Sequence, residues 1–168
     1  MKKMFFLLFT LFIISGICFA SDPLEGFWLS IDDKTGNVTA GWKIYQENDM
    51  LYGYMLSFSD KTDGNLAKRC KESYPGFPAA GKVNQMTLTG TPFIFGLKRH
   101  AAGDWRDGSV IDPADGRMYG CRITFHVSGT KSGRRTFDTD TLEMRGSIGP
   151  FGRSQFWQRT DEKTAGSL

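Results

Sequence analysis

Histidines and neighbouring carboxylates are the side chains in this sequence that could take part in acid–base or metal chemistry. The 168 residues include only two histidines, His100 and His126. A zinc site needs three or four ligands, and nothing else stands at a suitable spacing, so we expect surface histidines and no metal site. Asp112 and Asp115 lie close together, but aspartate directly before proline or glycine is typical of turns. We therefore expect a turn here rather than a catalytic pair.

Motifs for nucleophilic catalysis and phosphate binding do not occur in the sequence. There is no G-x-S-x-G and no nucleophile followed by a suitably spaced base. The segment 129–133, Gly-Thr-Lys-Ser-Gly, is a flexible connection and not a phosphate-binding loop. We expect that the protein is not an enzyme and that it binds no cofactor.

Three cysteines, Cys18, Cys70 and Cys121, occur in the chain. Cys18 lies in a segment that we expect to be removed after export, which leaves an even pair. In an oxidising compartment, Cys70 and Cys121 would form a disulfide worth about 4 kcal/mol in the chain-entropy treatment. The alternative, a thiol nucleophile, would need a nearby histidine and a reducing compartment.

The first twenty residues have the pattern of a secretory signal peptide. Lys2 and Lys3 precede an apolar run that ends at Ala20, and the unbroken apolar part is too short to favour a membrane anchor. We expect cleavage after Ala20 and export to the periplasm or beyond. Acylation of Cys18 is the alternative, but the bulky Ile17 disfavours that processing site.

The charge balance argues against nucleic acid as a partner. Without Lys2 and Lys3 the chain has 19 basic and 18 acidic residues. Proteins that bind nucleic acid show a clear basic excess. We expect no interaction with nucleic acid.

Alternating apolar and polar stretches, separated by turn residues, predict an all-β fold. The segments VTAGWKIYQE and MLYGYMLSF flank Asn48-Asp49, and RMYGCRITFHV follows the turn at 113–116. We count about eight strands in up-and-down antiparallel order, which remove their sheet edges most simply by closing into one barrel. Eight strands enclose an interior that can hold side chains or one small ligand.

Three segments follow from this interpretation. Residues 1–20 are the signal peptide, residues 21–160 form the barrel domain, and residues 161–168 form a polar, frayed tail. A stretch at 59–90 is long for a structureless loop, so it either caps an opening or contains short elements.

A tryptophan and an arginine at opposite ends of the domain predict how the barrel closes. Gly26 and Trp28 lie on the first strand, and Trp157 and Arg159 lie on the last. In a closed meander these strands are neighbours, so the guanidinium can cover the indole face. The pairing resembles the lipocalin and wider calycin signature.

A second resemblance covers most of the domain. The segments GFW, DMLYGYM, GLKR, LEMRGSIG and GRSQFWQR, with a block that contains Asp112, Pro113 and Gly116, occur in the order typical of domain-of-unknown-function family 2147. These are small secreted bacterial proteins. The resemblance implies a lipocalin-like barrel outside the cytoplasm, with no established biochemical activity.

Aromatic and polar residues that alternate on the strands suggest a ligand pocket. The candidate contacts are Trp42, Tyr54, Phe95, Tyr119 and Arg145. If Arg122 or Arg145 points inward, an anionic head group becomes plausible, although strand parity favours an outward Arg122.

The sequence therefore favours a secreted lipocalin-like barrel that binds or carries a small apolar or amphipathic molecule. The alternative is a protein-interaction module or enzyme inhibitor that acts through the 59–90 loop. A continuous cavity would favour carriage, and a filled barrel with an apolar loop surface would favour a protein partner.

Overall fold

The computed structural model describes residues 21–60 and 64–168. The elements in these ranges are β1 (Gly26–Ile31), β2 (Val38–Glu47), β3 (Met50–Phe58), a 3-10 turn (Val83–Gln85), β4 (Ile94–Ala101), β5 (Asp104–Asp112), β6 (Arg117–His126), β7 (Lys131–Ser132), β8 (Arg135–Thr136), β9 (Thr141–Ile148), β10 (Phe151–Thr160) and α1 (Glu162–Ala165). No helix in the described ranges is long and apolar enough to cross a bilayer. The predicted signal peptide and its cleavage site after Ala20 lie at the edge of or outside these ranges.

Eight of the strands form a closed antiparallel barrel. Its order is β1-β10-β9-β6-β5-β4-β3-β2, and β7 and β8 form a separate short hairpin. The first and last barrel strands pair directly, with Trp28 opposite Arg159. The predicted all-β, eight-stranded, up-and-down barrel is therefore confirmed.

Local turn chemistry sets the two hairpins that the sequence predicted most clearly. Asn48 and Asp49 both have positive φ angles, of 48° and 59°, which suit a tight turn between β2 and β3. Between β5 and β6, Asp112 accepts hydrogen bonds from the backbone N–H groups of Ala114 and Gly116. Asp112 is therefore a turn residue, as its sequence context indicated.

The inward faces of the strands fill one half of the barrel with apolar side chains. On β6, Cys121 and Ile123 are buried while Arg122 between them is exposed, which is the alternation expected of a strand with one face on a core. The fully buried side chains of this half include Leu24, Trp28, Ile44, Leu51, Leu97, Trp105, Ile123 and Leu142. We call this half the closed end, and the end where the loop after β3 crosses the barrel the open end.

The long connection between β3 and β4 packs several of its side chains into the core of the protein. It contains the short 3-10 turn, and Leu66 pairs with Thr87 in an isolated bridge. Ala67 and Val83 are each only 1% exposed. The loop therefore contains short elements and also covers one end of the barrel, so both of the predicted alternatives apply.

The predicted disulfide between Cys70 and Cys121 is not formed, and both residues are buried free thiols. Cys70 lies beside the β5–β6 turn, because its Cα is 3.2 Å from the position that a Cβ on Gly116 would take. Cys121 lies five residues further along β6, which is about 16 Å at about 3.3 Å per residue. A disulfide needs Cα atoms within about 7 Å of each other. The two cysteines lie at different heights along the barrel axis and are therefore too far apart to form one.

The C-terminal tail also differs from the prediction of a frayed end. Asp161 caps α1 by accepting a hydrogen bond from the N–H of Thr164. Ala165 is completely buried, and its carbonyl accepts a 2.5 Å hydrogen bond from the hydroxyl of Ser57 on β3. A Cβ on Gly41 would lie 1.9 Å from the same carbonyl, so glycine is what lets the helix approach the sheet. The polar composition of the tail gave no sign that a short helix would pack on the sheet in this way.

Candidate functional site

A cavity of about 570 Å³ occupies the open end of the barrel. Its wall is mainly apolar and includes Ala40, Met55, Phe58, Val110, Met144 and Trp157. Leu66 and Leu88 from the β3–β4 loop cover part of the entrance. Cavities of about 300–1,000 Å³ that are mostly apolar, with a few polar groups, are the usual form of small-molecule sites.

Two stacked tryptophans form the inner end of the cavity. The rings of Trp42 and Trp157 lie 5.0 Å apart at an interplanar angle of 26°. The indole N–H of Trp42 donates to the hydroxyl of Ser30 at 3.2 Å, and that of Trp157 donates to the amide oxygen of Gln155, also at 3.2 Å. Because both N–H groups are already satisfied, the tryptophans offer the cavity apolar ring surface.

The entrance carries charges of both signs. Lys68, Arg69 and Arg153 lie there with Asp60 and Asp112. The guanidinium of Arg153 makes an ion pair with Asp33, which lowers the pKa of that carboxyl. Burial by the surrounding protein raises the pKa of Asp112, although part of this side chain contacts solvent. The site is thus apolar inside and polar at its mouth.

The loop over the entrance is held by the β5–β6 turn. The buried hydroxyl of Tyr74 donates to the carbonyl of Gly116 at 2.7 Å and accepts from the N–H of Lys71 at 2.8 Å. Arg69 donates to the carbonyl of Ala114 at 3.1 Å. A Cβ on Gly116 would lie 1.9 Å from the carbonyl oxygen of Arg69, so this contact requires glycine. These hydrogen bonds hold the loop to the β5–β6 turn without a disulfide.

Of the predicted ligand contacts, Trp42 and Tyr119 line the cavity. The structure places the other three elsewhere. Tyr54 packs edge-to-face on Tyr45 at 5.7 Å, on the opposite face of β3 from Met55. Phe95 packs edge-to-face on Phe77 of the loop at 5.5 Å.

Arg145 is exposed on the outer face of β9, where it donates to the hydroxyl of Ser154 at 3.5 Å. Arg122 is also exposed and lies 3.8 Å from Asp104. Neither arginine enters the cavity, so neither can bind the head group of a molecule inside it.

Several residues of the cavity were missing from the sequence-based set. Met55 and Met144 project inward, and the alternation of the strands around Gly53 and Leu142 was a signal that could have found them. The contributions of Leu66 and Leu88 had no comparable signal, because they depend on how an irregular loop returns over the barrel.

The opposite end of the barrel is sealed by the predicted signature residues. The guanidinium of Arg159 covers the ring of Trp28 and donates to the carbonyls of Pro23 and Glu25. Gly26 has a φ of 126°, and a Cβ there would lie 3.1 Å from the Arg159 guanidinium. Burial lowers the pKa of Arg159, which nevertheless stays charged at any physiological pH. These residues close the barrel rather than contact a ligand.

A polar cluster lies on the outer surface, below the short β7–β8 hairpin. His126 and Glu143 are 2.8 Å apart, and the hydroxyl of Ser154 donates to the other oxygen of Glu143 at 2.6 Å. Burial opposes ionisation of Glu143, but the two hydrogen bonds and the nearby basic side chains of His126 and Arg122 together lower its pKa. Phe137 stacks on the His126 ring at 4.1 Å. Because the serine contacts the carboxylate and not the imidazole, the cluster does not have the order of a catalytic triad.

Metal ligation has no candidate in the part of the chain that the structure describes. No group of three or more His, Cys, Asp or Glu side chains comes together there. His100 is exposed on β4, and His126 makes the contacts given above.

Comparison with known proteins identifies the family. Residues 26–159 match the family described as "Uncharacterized protein conserved in bacteria (DUF2147)". The chain belongs to this family. No curated protein matches the sequence.

Among solved structures, the fold is similar to that of a Helicobacter pylori protein. That structure is described as "Protein HP1028 from the human pathogen Helicobacter pylori belongs to the lipocalin family". The TM-score is 0.63 and the identity 16%, over 86% of this chain and 87% of the other. At this identity the likeness establishes a lipocalin-like fold.

Proposed function

We propose that this member of the DUF2147 family binds a small apolar or amphipathic molecule in the cavity at the open end of the barrel. The observation that carries the proposal is the cavity itself, about 570 Å³ in volume with a mainly apolar wall. A barrel that needed its interior only for stability would fill this half with side chains, as it does at the closed end.

The chemistry of the wall favours an apolar body with a polar end. The Trp42 and Trp157 N–H groups are satisfied by Ser30 and Gln155, so the inner end of the cavity favours groups that form no hydrogen bonds. Charged side chains are confined to the mouth, where a polar group of the ligand would remain near water.

We also propose that the protein acts outside the cytoplasm, and the sequence pattern of its first twenty residues supports this. The pattern of residues 1–20, with Lys2 and Lys3 before an apolar run, is that of a signal peptide. The HP1028 structure, which is described as belonging to the lipocalin family, has a similar fold. Fold alone does not imply function, so the cavity is the main support for the proposal.

The alternative, a protein-interaction role for the 59–90 loop, has less support. Ala67, Cys70, Tyr74 and Val83 are buried, so these apolar side chains of the loop face the barrel and not a partner. The loop functions better as a cover for the cavity than as a docking surface.

The proposal is tested by filling the cavity without breaking the barrel. A Cβ on Gly146 would lie 3.6 Å from the Cβ of Tyr119 and 3.9 Å from a methyl of Val110, so a side chain fits there and extends into the cavity. Gly120 on the neighbouring strand is the matched control, because its Cβ would meet only Ser147, at 3.3 Å from the flexible hydroxyl.

The experiment compares Gly146→Leu, Gly120→Leu and the unaltered chain from Ser21 in titrations with the apolar fluorophore phenylnaphthylamine. Energy transfer from Trp42 and Trp157 reports occupancy of the cavity, and thermal melting confirms that each variant is folded. We expect Gly146→Leu to weaken binding at least about tenfold, which corresponds to about 1.4 kcal/mol, and Gly120→Leu to leave it unchanged. Equal binding by Gly146→Leu would show that the cavity is not the site.

A further inference from the structure

Large apolar side chains are exposed mainly at the open end of the barrel. Among the described residues, the exposed large hydrophobic side chains are Met50, Leu66, Val127, Ile148 and Phe151. Leu66, Ile148 and Phe151 lie at the open end, and Phe151, at 81%, is the most exposed of all five. Three of these five exposed side chains therefore lie around the mouth of the cavity.

Ile148 and Phe151 form the tip of the β9–β10 hairpin, which projects beyond its neighbours. They are paired across the hairpin, on either side of Gly149 and Pro150. The pairing of β9 with β6 ends at Ser147, and β10 pairs with β1 only at residues 158–160. Beyond Ser147 the hairpin strands therefore pair only with each other, so the tip stands clear of the barrel rim.

The outer part of the hairpin, residues 144–155, carries positive charge and no acidic side chain. Residues 144–155 include Arg145 and Arg153 and neither Asp nor Glu. Arg153 is neutralised by its ion pair with Asp33. Arg145 is exposed and makes no ion pair with a described residue, since its hydrogen bond goes to the Ser154 hydroxyl. The Arg145 guanidinium lies against Gly152, the residue that follows Phe151, on the face of the hairpin opposite to Ile148 and Phe151.

We propose that the β9–β10 hairpin docks the open end of the barrel on an anionic phospholipid bilayer, with Phe151 and Ile148 in the interface and Arg145 on lipid phosphates. Aromatic and aliphatic side chains enter the interfacial region, and a nearby cation strengthens binding to anionic lipids. A protein partner fits less well, because a stable protein interface takes about 800 Å² from each side and this tip consists of two side chains. Docking in this way turns the mouth of the cavity toward the membrane.

The test is co-sedimentation of the chain from Ser21 with vesicles of phosphatidylcholine alone, or of equal parts phosphatidylcholine and phosphatidylglycerol. Val127 provides the matched control, because it is 54% exposed, like Ile148, but lies at the closed end. We expect Phe151→Ser and Ile148→Ser each to reduce partitioning several-fold, and Val127→Ser to leave it unchanged. Arg145→Gln should weaken binding to the anionic vesicles more than to the neutral ones.

Depth of insertion gives a second readout. Phe151→Trp should be quenched by lipids brominated on their acyl chains, and Val127→Trp should not be quenched. All these sites are exposed, so unchanged melting temperatures and unchanged phenylnaphthylamine binding would separate loss of docking from loss of fold or of the cavity. The proposal is overturned if the unaltered protein does not sediment with either vesicle, or if Val127→Ser loses as much binding as Phe151→Ser.

Discussion

The guanidinium carbon of Arg159 lies 4.2 Å from the centre of the Trp28 ring, at the seam where the last strand of the barrel pairs with the first. The indole N–H of Trp28 donates to the carbonyl of Leu24 at 2.9 Å, and Arg159 reaches the carbonyls of Pro23 and Glu25. The pair therefore fixes the segment before β1 across the closed end. This arrangement leaves the opposite end available for the cavity.

The contact predicts energetic coupling between the two side chains. In a double-mutant cycle, Trp28→Ala and Arg159→Ala should show a coupling of about 1–2 kcal/mol, since each removes the partner of the same cation–π contact. The free energy of unfolding in urea is the quantity to measure. Trp105→Ala with Arg159→Ala is the control cycle, because Trp105 is equally buried and, among the described residues, the cation–π contacts of Arg159 are with Trp28 and Phe125. Effects of the first pair that add within about 0.5 kcal/mol would contradict the stacked arrangement.

The two buried thiols predict a specific pattern of alkylation. Burial raises the pKa of Cys121 to about 12 and also raises that of Cys70, so neither forms much thiolate at neutral pH. We expect the native chain from Ser21 to react slowly with iodoacetamide, and the unfolded chain to take up two adducts without any reductant. The adducts are counted by intact mass. An unfolded chain that takes up none without reductant, and two with it, would show that the disulfide forms after all.

The loop over the cavity should depend on Gly116. Gly116→Ala places a methyl group against the Arg69 carbonyl, and it also forces alanine to a φ of 69°. Gly36→Ala is the control, because it imposes a similar φ of 74° but its methyl group would have no neighbouring atom within 4 Å. It therefore measures the cost of the backbone strain alone, about 1–2 kcal/mol.

We expect Gly116→Ala to lose at least about 1–3 kcal/mol more than Gly36→Ala, because backbone atoms must move to admit the methyl group. Hydrogen exchange in residues 64–93 should rise in Gly116→Ala alone. If the two variants lose equal stability and equal protection, the turn does not hold the loop.

The barrel could be predicted from the sequence because it depends on the alternation of side chains along each strand and on the pairing of neighbouring strands. Alternation on β6 placed Cys121 and Ile123 inside and Arg122 outside. The tryptophan of the first strand and the arginine of the last indicated which strands meet at the seam.

The site was harder to predict because small irregularities decide which face a side chain takes. The pairing of β2 with β3 shifts register next to Trp42, and Gly96 has a φ of 69° immediately after Phe95. Such shifts disturb the simple count of alternate residues. Tyr54 and Arg145 lie next to Met55 and Met144, which take the inward face of their strands, so the alternation of the strand places Tyr54 and Arg145 on the outer face.

The most direct test of the ligand-binding account is native mass spectrometry of the protein exported to the periplasm of a bacterial host and purified without detergent. We predict a defined additional mass that is lost on unfolding, retained in Gly120→Leu and absent in Gly146→Leu. The account would be contradicted if the unaltered protein carried no additional mass and bound no apolar fluorophore, or if Gly146→Leu carried the same additional mass as the unaltered protein.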